Sequence, residues 1–326
     1  MRDDDRELFA GIDVGGTNLR LALVDRAGEI RHRIRLKTEI AGGRDLLYER
    51  IREGINGLRG RAAELGATIS ALGVGVPGLI ANDGYVHVSV NLPPIDRVNL
   101  RDDLQRITAL PTVIANDVNA FAWGERRYGA GAHFSSFMMV TLGTGVGGGL
   151  VLNGRLWTGV DGVAGELGHL TVEPNGRPCT CGNRGCLEQY ASATAIATSA
   201  REAMTGETGW APGVVRSEGI SAEAVAAAAR GGDPRAAAVF ADAGRYLGIA
   251  AAGLANILNL EAFIVGGGVA ASFDLMKDAM KQEVRTRAFP LPGERLQIIP
   301  AILGENGGLI GSAALAMQVR DNGTWD

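Results

Sequence analysis

Two glycine-rich turns, each placed between strand-like apolar runs, constrain the fold of this chain more than any other feature. Leu8 to Val14 carries an apolar run through Asp13, Gly15-Gly16-Thr17 turns the chain, and Leu19 to Val24 alternates as a second strand. Much later, Phe137 to Leu142 leads into Gly143-Thr144-Gly145-Val146-Gly147-Gly148-Gly149, a strand over Leu150 to Leu152, and an Asn153-Gly154 turn into Arg155 to Thr158. After each hairpin, helix and strand patterns alternate. Behind the first come a helix from Asp45 to Leu65, a buried strand from Ala71 to Val76, a helix from Leu100 to Ile107 and a strand from Thr112 to Ala115. Behind the second come helices over Ala191 to Met204 and Ala222 to Arg230, and a long one opened by Asp233-Pro234 and running towards Leu258. Strand Ala262 to Val265, helix Asp274 to Arg287, strand Gln297 to Ile299 and helix Gly307 to Met317 follow. A hairpin followed by α/β alternation, in duplicate, predicts an α/β protein of two related lobes with a cleft between them. With 326 residues the chain also exceeds the length at which one hydrophobic core keeps growing. The expected division gives residues 1–115 with 307–326 to a small lobe and 116–306 to a large one.

Successive glycines at a strand turn let backbone N–H groups approach an anion closely, and a threonine hydroxyl adds a donor without charge. Asp13, at the end of the first strand, can hold Mg2+ directly or through water. One such turn reads as no more than a tight bend, but two facing each other would cradle a triphosphate tail from both lobes. The only lysines are Lys37, Lys277 and Lys281, none of them in a glycine loop, which excludes a Walker A motif. Gly143, Gly145 and Gly148 also spell G-x-G-x-x-G. A dinucleotide fingerprint must open a helix, however, and strand residues follow here.

All three cysteines stand together at Cys179, Cys181 and Cys186, shortly after His169, one of four histidines. Thiolate and imidazole are the ligands zinc prefers, and four of them close a tetrahedral structural site with no open position. An odd count and a tight Cys-Thr-Cys spacing argue against a disulfide, so segment 169–186 is expected to hold a structural Zn2+. Glu166 and Glu188 bracket the cluster; taken singly, each reads as a solvated acid. A hydrophobic content of 46%, a charged content of 21% and a net charge of -4 describe a soluble globular protein without a field for nucleic acid or anionic membranes. The charged stretch Met1 to Glu7 lacks an apolar h-region, and Asn256, Asn259, Glu261 and three glycines interrupt the apolar stretch Leu247 to Val269. Neither a signal peptide nor a membrane span is therefore expected. Reduced thiols ready for metal fit a cytoplasmic location.

These residues resemble the ROK family (repressors, open reading frames, kinases) of the actin-like ATPase superfamily, whose fold is ribonuclease H-like, and within it the bacterial glucokinases. Asp13-Val-Gly15-Gly16-Thr17-Asn18-Leu-Arg20 looks like the first phosphate motif, and Leu142-Gly143-Thr144-Gly145-Val-Gly-Gly-Gly149 like the second. Glu166-Leu-Gly-His169 running on to Cys179-Thr-Cys181-Gly-Asn-Arg-Gly-Cys186-Leu-Glu188 looks like the family signature, and Gly266-Gly267-Gly268 like the loop beside adenosine. The resemblance covers essentially the whole chain. It implies ATP with Mg2+ as phosphoryl donor and glucose, phosphorylated at its 6-hydroxyl, as acceptor. It makes Asn116-Asp117 the sugar and catalytic pair, with Asp117 the base that takes the hydroxyl proton; on sequence alone, an Asp after a strand is a helix cap. Glu166, His169 and Glu188 would grip sugar hydroxyls, with Gly78 and Asn91 lining the pocket from the smaller lobe. Pro94-Ile95 after Asn91-Leu92-Pro93 departs from the Gly-Trp of many family glucokinases, which leaves fructose, N-acetylmannosamine and N-acetylglucosamine open as substrates. The resemblance further implies a homodimer or homotetramer. Family members that are sugar-responsive transcription regulators carry a helix-turn-helix ahead of the first hairpin; with a strand from Leu8, none is expected here.

Overall fold

The structure is a computed structural model that describes residues 7–89, 91–204 and 219–323. The reading of the amino terminus over residues 1–6 lies outside the described residues. Strands β1 (Glu7–Val14), β2 (Asn18–Val24) and β3 (Ile30–Lys37) lead into helix α1 (Gly43–Glu64) and strand β4 (Thr68–Val76). The short strands β5 (Leu79–Ile80), β6 (Tyr85–Val88) and β7 (Val98–Asn99) precede α2 (Leu100–Thr108), β8 (Thr112–Asn116) and α3 (Asp117–Tyr128). Next come β9 (Phe137–Leu142), β10 (Val146–Leu152) and β11 (Arg155–Trp157), then α4 (Glu188–Ala191), α5 (Ala193–Met204), α6 (Ala222–Arg230) and α7 (Pro234–Leu258). The chain ends with β12 (Ala262–Gly266), α8 (Phe273–Arg287), α9 (Pro290–Arg295), β13 (Gln297–Pro300) and α10 (Gly307–Asn322). None of the described helices is long and apolar enough to cross a membrane.

The duplication is visible in the sheets. One runs β3-β2-β1-β4-β8 and the other β11-β10-β9-β12-β13, so a hairpin and two further strands recur in the same order. In the first sheet β2 is antiparallel to β1 and β3, while β4 is parallel to β1 and β8; in the second, β12 is parallel to β9 and β13. Such parallel strands are buried on both faces and read as continuous apolar runs, as β1 and β9 do. Two compact units result: Met1–Ser135 with Gly149–Gly165 and Ile302–Asp326, and Ser136–Gly148 with Glu166–Ala301.

In the first unit, α1 buries Leu47, Ile51, Ile55, Leu58 and Ala62, a spacing of three and four residues that turns one helical face to the sheet. Helix α10 crosses β4 at Gly73 and meets α3 through its own Gly311, each without a side chain to hold the backbones apart. A Cβ on Gly73 would run into the Ser312 carbonyl, and one on Gly311 into the Ala120 carbonyl. Because the obstacle at Gly311 is backbone, it cannot swing aside. Gly311→Ala is expected to lose about 1–3 kcal/mol of stability, the scale of overpacking a tight core; an unchanged urea midpoint would contradict that close crossing.

In the second unit, α7 opens as its sequence dictates. The Asp233 side chain accepts from the N–H groups of Arg235 (3.0 Å) and Ala236 (3.3 Å), and Pro234 stands where no N–H is needed. It ends at Asn259, in the left-handed region at φ 49, before the chain enters β12.

The structure differs from the sequence-based expectation in four places. The lobe boundary expected at 115/116 lies before α3, but α3 packs on α10 and falls within the first unit; the compact units divide after Ser135, and Gly149–Gly165 with Ile302–Asp326 also go to the first. The helix expected over 191–204 starts two residues later, as α5, because Ser192 is extended and its hydroxyl accepts from the Ala195 N–H at 3.0 Å. Strand β10 begins within the glycine run rather than after it. Finally, β3, β5, β7, α4 and α9 had no counterpart in the pattern reading, and α3 none beyond the expectation that Asp117 caps a helix.

Candidate active site

In the first unit, Asp13 and Arg20 face each other across the β1–β2 hairpin. The Arg20 guanidinium donates to Asp13 Oδ2 through Nε at 3.1 Å and through a second, shorter contact from its terminal nitrogen, and it donates to the Glu305 carbonyl at 3.0 Å. Between them the turn is held from below. Gly15 N–H donates to the Asn18 carbonyl at 2.9 Å, and the fully buried Thr38, just past β3, donates its hydroxyl to the Gly15 carbonyl at 2.6 Å and its N–H to the Thr17 carbonyl at 3.1 Å. Gly16 and Thr17 remain exposed at the tip. The Asn18 side chain accepts from Arg35 Nε at 3.2 Å.

The carboxyl end of β8 supplies the second group. Asn116 is the N-cap of α3: its side-chain oxygen accepts from Val118 N–H at 2.9 Å and Asn119 N–H at 3.2 Å, while its Nδ2 donates to the Gly78 carbonyl at 3.1 Å. Asp117 is thus the first residue of α3 and not its cap, with Oδ1 accepting from Val118 N–H at 3.0 Å. Its carboxylate sits where the helix dipole favours negative charge. Gly78 has φ +128, and a Cβ there would collide with the Val88 carbonyl, so the loop needs glycine. Asn91 is exposed, and its carbonyl lies 3.4 Å from where a Cβ on Gly16 would stand. Within this unit, then, the structure brings the first glycine turn and the Asn91 loop side by side.

In the second unit, the β9–β10 turn is pinned through its carbonyls. Gly143 accepts from Ala193 N–H at 2.8 Å, and Thr144 accepts from the Thr194 hydroxyl at 2.9 Å. Glu188, the first residue of α4, accepts from Val146 N–H at 3.1 Å, and a Cβ on Gly145 would come within 2.5 Å of the same carboxylate oxygen. Beside β9, Gly267 has φ +84 and packs on the Leu142 backbone, with Gly268 following in open space.

His169, Cys179, Cys181 and Cys186 converge, with all four ligand atoms within 4.8 Å of one another. The His169 Nδ1 to Cys179 Sγ and the Cys181 Sγ to Cys186 Sγ separations are both 3.7 Å. Tetrahedral zinc with bonds of about 2.0–2.3 Å requires ligand-to-ligand edges of about 3.3–3.8 Å, which these two separations match, and the donor set is one that suits that ion. Burial and neighbouring thiols push the Cys186 thiol up to about 12. Burial acts the same way on Cys179, but hydrogen bonds from the Cys181 backbone and thiol and from His169 bring it down to about 6. Glu166 keeps solvent-accessible surface. Even so, burial of its carboxyl raises its pKa above the ordinary carboxylate value; His169 opposes that shift and Glu188 adds to it.

Three contributors escaped sequence reasoning: Thr38, Thr194 and the Ala193 N–H, all of which fix the glycine turns. Strict alternation over Ile30-Arg-His-Arg-Ile-Arg-Leu-Lys37 marks β3, and with it Thr38. Thr194 carries no comparable signal.

The pattern of the ROK family matches residues 9–319, nearly the whole chain. This chain belongs to the ROK family. A glucokinase of Halalkalibacterium halodurans is 38% identical over 314 residues, covering 95% of each chain. The crystal structure of a ROK family glucokinase from Streptomyces griseus in complex with glucose and AMPPNP is 34% identical, with a TM-score of 0.80, covering 95% of this chain and 99% of that one. The xylose repressor of Bacillus subtilis is 29% identical over 313 residues, covering 94% of this chain and 76% of the repressor. The ROK fold is that of actin-like ATPases, as the paired sheets imply.

Proposed function

We propose that the chain transfers the γ-phosphoryl group of ATP to the 6-hydroxyl of glucose, with Asp117 as the base. One observation carries this reading: Asp13 and Asp117 stand at the carboxyl ends of β1 and β8, with parallel β4 between them. Two strand spacings separate those ends by about 10 Å, and ligands of α/β sheets collect at such carboxyl edges. A carboxylate at one end can serve the phosphates while the other serves the attacking hydroxyl. Full-length likeness to glucokinases, one of them described with glucose and an ATP analogue, supports the same assignment.

In this reading the backbone around Gly15, Gly16, Thr17 and Asn18 and that around Gly143, Thr144 and Gly145 receive the phosphates, with Gly267 and Gly268 beside the adenosine. Asp13 would hold Mg2+ through Oδ1, where no hydrogen bond ends among the described residues, while Arg20 fixes Oδ2. The ion would neutralise charge on the transferring group. Asn116, Gly78 and Asn91 would be sugar contacts of the first unit; Glu166, His169 and Glu188 would be sugar contacts of the second. As its 6-oxygen bonds to the γ-phosphorus, the bond to the bridging oxygen breaks and ADP leaves with the electron pair, while the hydroxyl proton passes to Asp117. His169, Cys179, Cys181 and Cys186 would hold Zn2+ as a structural cross-link.

A panel of glucose, mannose, fructose and the N-acetyl hexosamines with MgATP tests the substrate. Glucose is expected to show the highest kcat/KM, by at least about tenfold, since a site that hydrogen-bonds particular hydroxyls leaves its polar groups unpaired against sugars that misplace them. A preference for an N-acetyl sugar would move the chain to another ROK kinase activity. Sugar binding without any phosphoryl transfer would remove the kinase reading altogether.

A further inference from the structure

Glu125 is a fully buried carboxylate that the reaction does not use. It lies in α3, eight residues after Asp117, or about 12 Å along the helix axis. Its Oε1 accepts from the N–H groups of Ile302 (3.0 Å) and Leu303 (2.8 Å), and its Oε2 from Ala130 N–H at 2.6 Å. All three partners are backbone donors. Burial raises the pKa of this carboxyl, against the opposing pull of those same N–H groups. A neutral acid or amide would suit the cage badly, since either places a hydrogen against N–H groups that need an acceptor. A buried charge without a cation is costly, and it persists where hydrogen bonds hold the charged form.

What Glu125 holds is the segment that enters α10. Two residues beyond Leu303, the Glu305 carbonyl receives Arg20, whose guanidinium fixes Asp13. Gly308, in the first turn of α10, approaches the same carboxylate, and a Cβ there would stand 3.5 Å from Asp13 Oδ2. We propose that Glu125 is a positioning residue for the nucleotide end of the site: by clamping Ile302 and Leu303 it sets the Glu305 carbonyl, and through Arg20 the orientation of Asp13. Helix α3 then carries the base at one end and, two turns on, the anchor for the phosphate-side carboxylate. This inference rests on the roles given above to Asp13 and Arg20.

The test is Glu125→Gln in the full-length protein. Amide hydrogen exchange at Ile302 and Leu303 should accelerate at least about tenfold, consistent with loss of a charged acceptor. Calorimetric titration should show MgADP binding weakened about tenfold and glucose binding changed less than twofold. Leu303→Pro is the second variant. Leu303 has φ -74, which proline adopts, so this change deletes one donor without touching the carboxylate. It should reproduce the same split if Glu125→Gln does not fold. Unchanged exchange at the two amides, or equal weakening of MgADP and glucose, overturns the proposal. If the unmodified chain binds MgADP but phosphorylates no sugar, the kinase reading fails while these two measurements still decide the role of Glu125.

Discussion

Asp117→Asn is expected to lower kcat by about 10²- to 10⁴-fold, the contribution of a well-placed general base, with glucose and MgADP affinities near those of the unmodified chain. The substitution removes the carboxylate's basicity while keeping its size and an acceptor oxygen. The Asn side chain keeps an oxygen to accept from Val118 N–H, and the cap of α3 is made by Asn116, which stays in place. A carboxylate at the first residue of a helix contributes about 0.3–1 kcal/mol, too little to unfold a protein of this size. A drop in kcat with unchanged KM, measured by coupled assay beside calorimetric sugar binding, identifies an interaction made only in the transition state. If turnover stays within tenfold of the unmodified chain, the proton goes elsewhere and Asp117 is only a sugar ligand.

The paired sheets were legible because each hairpin is written in local chemistry: a buried apolar run, glycines at the turn and renewed alternation. The same holds for α7, whose cap, proline and terminal asparagine all stand in the sequence. Helix α3 was missed for a physical reason. Its residues include Asn119 and Gly124, poor helix formers, and part of its stability comes from close packing on α10. The convergence of His169 with the three cysteines was foreshadowed by their spacing, and the place of Asp13 near a strand end by the apolar run before it. Glu125 was not, since a glutamate in a helix ordinarily faces solvent and its partners Ile302 and Leu303 lie far along the chain. Local pattern reveals turns and ligands. It does not reveal a carboxylate whose meaning depends on a distant backbone folding back onto it.

The second large effect expected is from removing the zinc proposed at His169, Cys179, Cys181 and Cys186. The loop through Cys179, Cys181 and Cys186 carries little regular secondary structure and is tied by backbone hydrogen bonds such as Cys179 N–H to the Asn183 carbonyl at 2.8 Å and Leu187 N–H to the Leu170 carbonyl at 2.9 Å. Zinc contributes about 10–16 kcal/mol of apparent binding free energy in small zinc-dependent folds; a domain with its own core depends on it less, and the loss here should be confined to this segment. Glu166 precedes His169 and Glu188 follows Cys186, so a slack loop releases both carboxylates, and with Glu188 the Val146 N–H of the second glycine turn, while the Gly15–Thr17 turn of the first unit keeps its bonds. Chelation, or Cys181→Ser at the exposed ligand, should therefore raise KM for glucose at least about tenfold, a loss of about 1.4 kcal/mol, and leave MgADP binding to the first unit less affected. The pH dependence has a definite sign. Metal requires thiolates, so binding at neutral pH must displace the proton from Cys186, held near about 12 without metal, and stabilisation by zinc is lost as pH falls through the range in which Cys179, near about 6, also protonates. Zinc content and melting temperature followed together across pH 5 to 8 would show this coupling. A metal-free preparation with an unchanged melting temperature and an unchanged KM for glucose would remove the metal from the account.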